Sequence, residues 1–266
     1  MLSQLRRRKH VKFRRAAASS LAALLDAFPE CCVYDLVAPS LLELSGITIA
    51  NAPPASSAAA QPQGAATTTG AASSGGAGTG KADPILQARA VACLAAAWPR
   101  VPSLGSPGAA GSMARTEGAE GNGGGAAAAA AVCKLQSAHA APLSRALSQA
   151  LSRVVWSVRV PIYAALKAIV SRTTTAESQR PPVLNGSLLA VVVHAVELGA
   201  ADPKYSQVRA AAISVVVAMT SRQELRLALT PHKEGLVAAA RTAEQDPEPR
   251  VALEGSKAVQ NLSWWP

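Results

Sequence analysis

Residues 75–82, Gly-Gly-Ala-Gly-Thr-Gly-Lys-Ala, carry the spacing of a phosphate-binding loop, with Gly75, Gly80 and Lys81 in the expected places. The magnesium ligand is missing from the pattern, because Ala82 stands where a Ser or Thr hydroxyl is needed. The preceding TTTGAASS, residues 67–74, does not read as a buried strand. The match is a by-product of Gly-rich composition. Other catalytic constellations fare no better. His10, His139, His194 and His232 are far apart, with no H-E-x-x-H and no Cys/His ligand cluster. There is no G-x-S-x-G. Cys31, Cys32, Cys93 and Cys133 form no C-x-x-C pair and read as buried thiols in a reducing compartment. In such a compartment the sequons at Asn185 and Asn261 carry no meaning. The residues therefore predict no catalysis, cofactor, metal or small-molecule substrate.

The one concentration of charge is RRRKHVKFRR at 6–15, which supplies seven of the 26 basic side chains and no acid. The rest of the chain carries 19 basic and 16 acidic residues and is close to balanced, so seven of the ten net positive charges belong to this segment. Three readings stay open for it. A nucleic-acid arm built on Arg6, Arg7, Arg8 and Lys9 is disfavoured, because only Phe13 is near enough to stack on a base. A transit peptide suits the Arg/Ala/Ser-rich, acid-poor residues 1–25. The favoured reading is a solvated helix face that also contributes a structural arginine.

Nearly half of the 266 residues are apolar, yet only 3% are aromatic; Ala, Val and Leu dominate. That composition suits closely packed helices. Two stretches, 50–82 and 101–131, consist of Ala, Gly, Ser, Thr and Pro with almost no large apolar side chain, and are expected to be disordered inserts. The poly-Ala at 126–131 can extend the helix that follows. The inserts divide the chain into 1–49, with the basic segment and first helices, a helix at 83–100, and a run of helices at 132–266. No apolar run reaches the roughly 18–20 residues of a membrane span.

A repeat emerges once the inserts are set aside. Segments 83–98, 154–170, 202–219 and 246–262 each place an Arg near the start of an apolar helix, and three open with Asp-Pro. Asp is a good N-cap, and Pro is tolerated in the first turn. Arg89, Arg159, Arg209 and Arg250 mark a period near 40 after the insert is removed; Arg14 or Arg15 in 13–28 extends the series. Each helix has a partner before it, at 30–46, 142–154, 187–199 and 235–245. Two helices per period predict an all-α HEAT/armadillo-like solenoid of four to five repeats. Asp83, Asp202 and Asp246 are the expected ladder or cap partners of the repeat arginines. The closing NLSWWP offers Trp264 and Trp265 either as an interface or as a packed terminus.

The segments ARAVACLAAAWPR (88–100), CKLQSAHAAPLSRALSQALSRVVWSVRVPIYAALKAIV (133–170) and KYSQVRAAAISVVVAM (204–219) resemble, in order and spacing, the C-terminal end of the proteasome adaptor and scaffold proteins, a large HEAT-repeat family. The resemblance covers about half the chain. It implies a non-catalytic scaffold that joins the proteasome core particle to its regulatory particle, in the cytoplasm or nucleus. Family members are several times longer, so this chain corresponds to their last few repeats or to a short relative. The alternatives are a HEAT adaptor of another kind, such as a transport receptor or phosphatase scaffold, and a nucleic-acid-associated protein using the basic segment.

Overall fold

A computed structural model describes residues 10–27, 34–49, 83–100, 123–173 and 183–265. Arg6, Arg7, Arg8 and Lys9 lie outside these residues, as do Cys31 and Cys32, the first insert and residues 101–122 of the second. The described residues form helices α1 (Val11–Ala27), α2 (Tyr34–Ser45), α3 (Pro84–Ala97), α4 (Gly123–Leu151), α5 (Trp156–Arg172), α6 (Gly186–Ala200), α7 (Ser206–Thr220), the single turn α8 (Arg226–Leu229), α9 (Lys233–Glu244) and α10 (Pro249–Ser263). The poly-Ala at 126–131 extends α4 backward as expected, and the helix also takes in Gly123–Gly125, which the sequence placed in the insert. Ala loses the least on entering a helix, so the run needs little tertiary support.

The helices form two layers. The second helices α1, α3, α5, α7 and α10 pack side by side in chain order. Against them lie their first helices: α2 on α3, α4 on α5, α6 on α7 and α9 on α10. The core is the seam between the layers. Its largest fully buried side chains include Trp98, Tyr34, Tyr163, Leu147 and Leu166. α6 is enclosed on most sides, burying Leu188, Leu189, Val192, Val193 and Val196, which its nearly continuous apolar sequence requires. His194 is on its exposed side. By contrast, α10 keeps one apolar stripe, Val251, Ala258 and Leu262, and turns a charged face outward.

Several helix starts are set by side chains. Asp83 caps α3 by accepting from the Ile85 amide at 3.2 Å, and Asn185 caps α6 by accepting from Leu188 at 2.9 Å. Asp202 accepts from the amides of Lys204 and Tyr205 at 3.0 and 2.8 Å, just ahead of α7. Asp246 accepts from the Glu248 amide at 3.0 Å, just ahead of α10. These aspartates leave one carboxylate edge for a neighbour, and the ladder below uses it.

Candidate protein-binding groove and the ladders that shape it

The matching buried positions of the second helices fix a common register. Leu86, Ala90, Val91 and Leu94 of α3 correspond to Val158, Ile162, Tyr163 and Leu166 of α5 at a constant offset. Val158, Ile162 and Ile169 correspond likewise to Val208, Ala212 and Met219 of α7, and those to Val251, Gly255 and Leu262 of α10. In this register the ladder position is Arg15, Gln87, Arg159, Arg209 and Ala252.

Each arginine at that position reaches the aspartate at the start of the next second helix. Arg15 binds Asp83 through two hydrogen bonds of 2.9 and 2.8 Å. Arg159 donates to Asp202 at 3.1 Å. Arg209 binds Asp246 through bonds of 2.6 and 3.0 Å and also donates to the Asp202 carbonyl at 3.0 Å. The Arg15 hydrogen bonds hold the Asp83 carboxyl below the usual aspartate range, against the opposing effect of desolvation. Arg209 does the same to Asp246. The guanidinium groups of Arg15 and Arg209 are raised in turn by their carboxylate partners.

Three of the arginines chosen by spacing need correction. Arg15 rather than Arg14 holds the rung, since one residue turns a side chain by about 100° around the helix. Arg89 lies two residues past the ladder position, which is Gln87, and donates instead to the Arg15 carbonyl. Arg250 lies two residues before Ala252, is exposed, and belongs to the groove. The rung from α3 to α5 is therefore absent. The helix that follows, α5, has Val155 as its N-cap and no side-chain acceptor there.

A second ladder at the opposite ends of these helices has no counterpart in the sequence reading. Arg100, after α3, donates to the Asp26 carbonyl of α1 at 2.9 Å. Arg172, at the end of α5, donates to the Ala95 carbonyl of α3 at 2.9 Å. Arg222, after α7, donates to the Val170 and Thr173 carbonyls at 2.5 and 2.6 Å. Asn261 of α10 reaches the Val217 carbonyl and the Thr220 hydroxyl at 3.4 and 3.2 Å. The last carbonyls of a helix lack intrahelical donors and carry partial negative charge, so cations are favoured there. The available signal is an interval. Arg159 and Arg172, and Arg209 and Arg222, are each thirteen residues apart, as are Gln87 and Arg100.

With both ends stapled, the outward faces of α5, α7 and α10 enclose a groove of about 640 Å³. Trp156, Val160 and Lys167 of α5 form one side, Ala210 and Ser214 of α7 the floor, and Arg250 and Glu254 of α10 the other side. Ser157, Gln207 and Arg250 are equivalent positions in the register, so successive repeats contribute matching points to the lining. At the mouth, Trp156 stacks on Tyr205 with ring centroids 5.3 Å apart and planes 19° apart. The Lys204 ammonium lies 5.3 Å from the centroid of that tyrosine ring. Trp156 remains 41% exposed. Neither this stack nor Lys167 was singled out in the sequence, because α5 starts without Asp-Pro.

The terminal tryptophans separate. Trp265 folds back, 7% exposed, and its carbonyl accepts from the Lys233 ammonium at 3.2 Å. Trp264 is 73% exposed. Among the described residues no three His, Cys, Asp or Glu side chains gather into a metal site, and no helix is long and apolar enough to cross a membrane.

No protein-family model matches the chain, and no curated protein matches it. Among solved structures it is similar to an engineered protein of the Northeast Structural Genomics Consortium, at 12% identity and a TM-score of 0.39, covering 98% of this chain and 94% of that one. It is also similar to a designed armadillo repeat protein, at 12% identity and a TM-score of 0.36, covering 98% of each. Paired helices in two layers, one register across the second helices, and ladders at both ends make this chain an all-α, armadillo/HEAT-like helical-repeat solenoid.

Proposed function

We propose that the chain is a non-catalytic scaffold that engages protein partners along the outward face of its second helices. The observation that carries this reading is the groove across α5, α7 and α10. Three successive repeats line it, and a half-exposed tryptophan stands at its mouth. Repeat solenoids bind proteins by such extended surfaces, through distributed contacts rather than a single reactive centre. Large aromatic side chains and arginines are the residue types that most often anchor protein interfaces.

The partner we propose is the proteasome, with the chain helping to hold core and regulatory particles together in the cytoplasm or nucleus. Support for that step is the resemblance of 88–100, 133–170 and 204–219 to the proteasome adaptor and scaffold family. The test is capture of the tagged full chain from native lysate at moderate salt, with quantitative mass spectrometry, beside a Trp156→Ala variant. Core and regulatory subunits should be enriched together, and less so with the variant. Their absence from a soluble, helical bait would remove the proteasome assignment. Equal capture by the variant would remove the groove as the contact surface.

A further inference from the structure

We propose that the groove across α5, α7 and α10 takes an extended acidic peptide segment of a partner protein, an inference that rests on the scaffold reading above. Its dimensions suit a strand-like segment. Neighbouring helix axes in packed layers lie about 8–10 Å apart, so three helices span about 20 Å, the length of about six extended residues. The floor is made of small side chains, Ala210 and Ser214 among them, which let a peptide backbone approach closely. Gln207 and Ser157 supply polar groups for that backbone.

Charge selects the class of peptide. Lys167 and Arg250 line the groove, are exposed, and make no ion pair among the described residues. The acid in the lining, Glu254, is already held by Lys257 at 2.7 Å. Lys204 adds a cation at the mouth, over Tyr205. The groove thus presents unpaired cations and a neutralised carboxylate beside the apolar Trp156 and Val160. A carboxylate-bearing segment with interspersed apolar residues complements this pattern, and a basic one does not. A nucleic acid fits less well. Several phosphate contacts are needed for useful affinity, and much of this lining is apolar.

The experiment is fluorescence anisotropy on the full chain with three labelled octapeptides. They share the same leucines and differ only in carrying Glu, Gln or Lys at the alternate positions. The Glu peptide should bind about tenfold more tightly than the Gln peptide, which corresponds to about 1.4 kcal/mol, and the Lys peptide more weakly than both. Arg250→Ala and Lys167→Ala should each weaken the Glu peptide several-fold and leave the Gln peptide unchanged. Trp156→Ala should weaken both. All three substituted positions carry exposed or half-exposed side chains, and circular dichroism checks that each variant folds. Equal binding of the three peptides, no binding of any, or Glu-peptide affinity indifferent to Arg250 and Lys167 overturns the inference. So does displacement of the Glu peptide by a single-stranded oligonucleotide. If the acidic preference fails while proteasome capture persists, only this inference falls. If capture fails while the preference holds, the proteasome assignment falls instead.

Discussion

At the scale of single residues, the ladder is a set of charge-assisted hydrogen bonds that join one helix to the N-terminal cap of the next. The Arg209–Asp246 rung has two bonds and little exposure at either side chain. Removing one partner leaves the other poorly solvated, so Arg209→Ala should cost about 2 kcal/mol, read as a lowered urea midpoint. The rung also fixes a pH dependence. Asp246 titrates below its ordinary value when folded, so its contribution is complete above the unfolded pKa of about 3.9 and is lost as pH falls through the lower folded value. Between pH 7 and 5 the rung should add no slope to stability. Below about pH 4 the parent should lose stability more steeply than Asp246→Asn. The missing rung offers a test in the other direction. Val155 is 53% exposed and caps α5 without an acceptor. Val155→Asp should stabilise by about 1 kcal/mol through capping alone. Adding Gln87→Arg, which recreates the Arg15–Asp83 relation one repeat on, should give a favourable coupling energy in a double-mutant cycle. An additive cycle would show that the register assigned to Gln87 and Val155 is wrong.

At the scale of elements, the fold was largely legible and the register was not. The apolar stripes of α7 and α6 and the period near 40 appear as paired helices. Of the Asp-Pro starts only Asp83 is an N-cap with Pro84 in the first turn, whereas Asp202 and Asp246 lie three and two residues ahead of the caps of α7 and α10. The register failed where the signal was a single residue type. Arg89 and Arg250 lie near helix starts, but an arginine two positions away points to another face. Only the buried stripe, Ala90 and Leu94 or Val251 and Leu262, tells which face is which. Hydrogen bonds to carbonyls left even less trace, because any helix end can accept them. Close approach of helices is also written in single residues. Gly255 of α10 packs on the backbone of Ala243 and Glu244, where a methyl group would overlap main-chain atoms. Gly199 of α6 packs on the Tyr163 side chain, whose hydroxyl donates to the Ala195 carbonyl at 2.8 Å. Gly255→Ala should therefore cost about 1–3 kcal/mol even though Ala is the better helix former, because α9 and α10 must separate. A thermal midpoint equal to or above the parent's would show that the two helices can part without loss.

At the scale of the whole molecule, stability in a repeat array is a sum over units and their neighbour interfaces, so cooperativity is only as strong as its weakest junction. Three junctions between second helices are tied at both ends: α1 to α3, α5 to α7, and α7 to α10. The α3–α5 junction lacks the Asp rung and is tied at the exit end alone. There the ties concentrate. Arg172 donates to Ala95, the Trp98 indole donates to the Thr173 hydroxyl at 3.2 Å, and the Gln136 amide bridges the Pro99 and Arg172 carbonyls at 2.7 and 3.0 Å. Burial and the nearby Arg100 pull the Arg172 guanidinium below its usual pKa, yet it stays charged at any physiological pH. Arg172→Ala should loosen this junction and uncouple α1–α3 from α5–α10, turning one unfolding transition into two. Arg222→Ala weakens a junction that keeps its Arg159–Asp202 rung and should lower the midpoint while leaving a single transition. Hydrogen exchange read by mass spectrometry separates the cases. In Arg172→Ala the amides of α1 and α3 should exchange well before those of α7, whereas in Arg222→Ala protection should fall together. Joint loss of protection in both variants would mean that apolar packing of α3 on α5 carries the coupling and that the arginine ties are incidental to it.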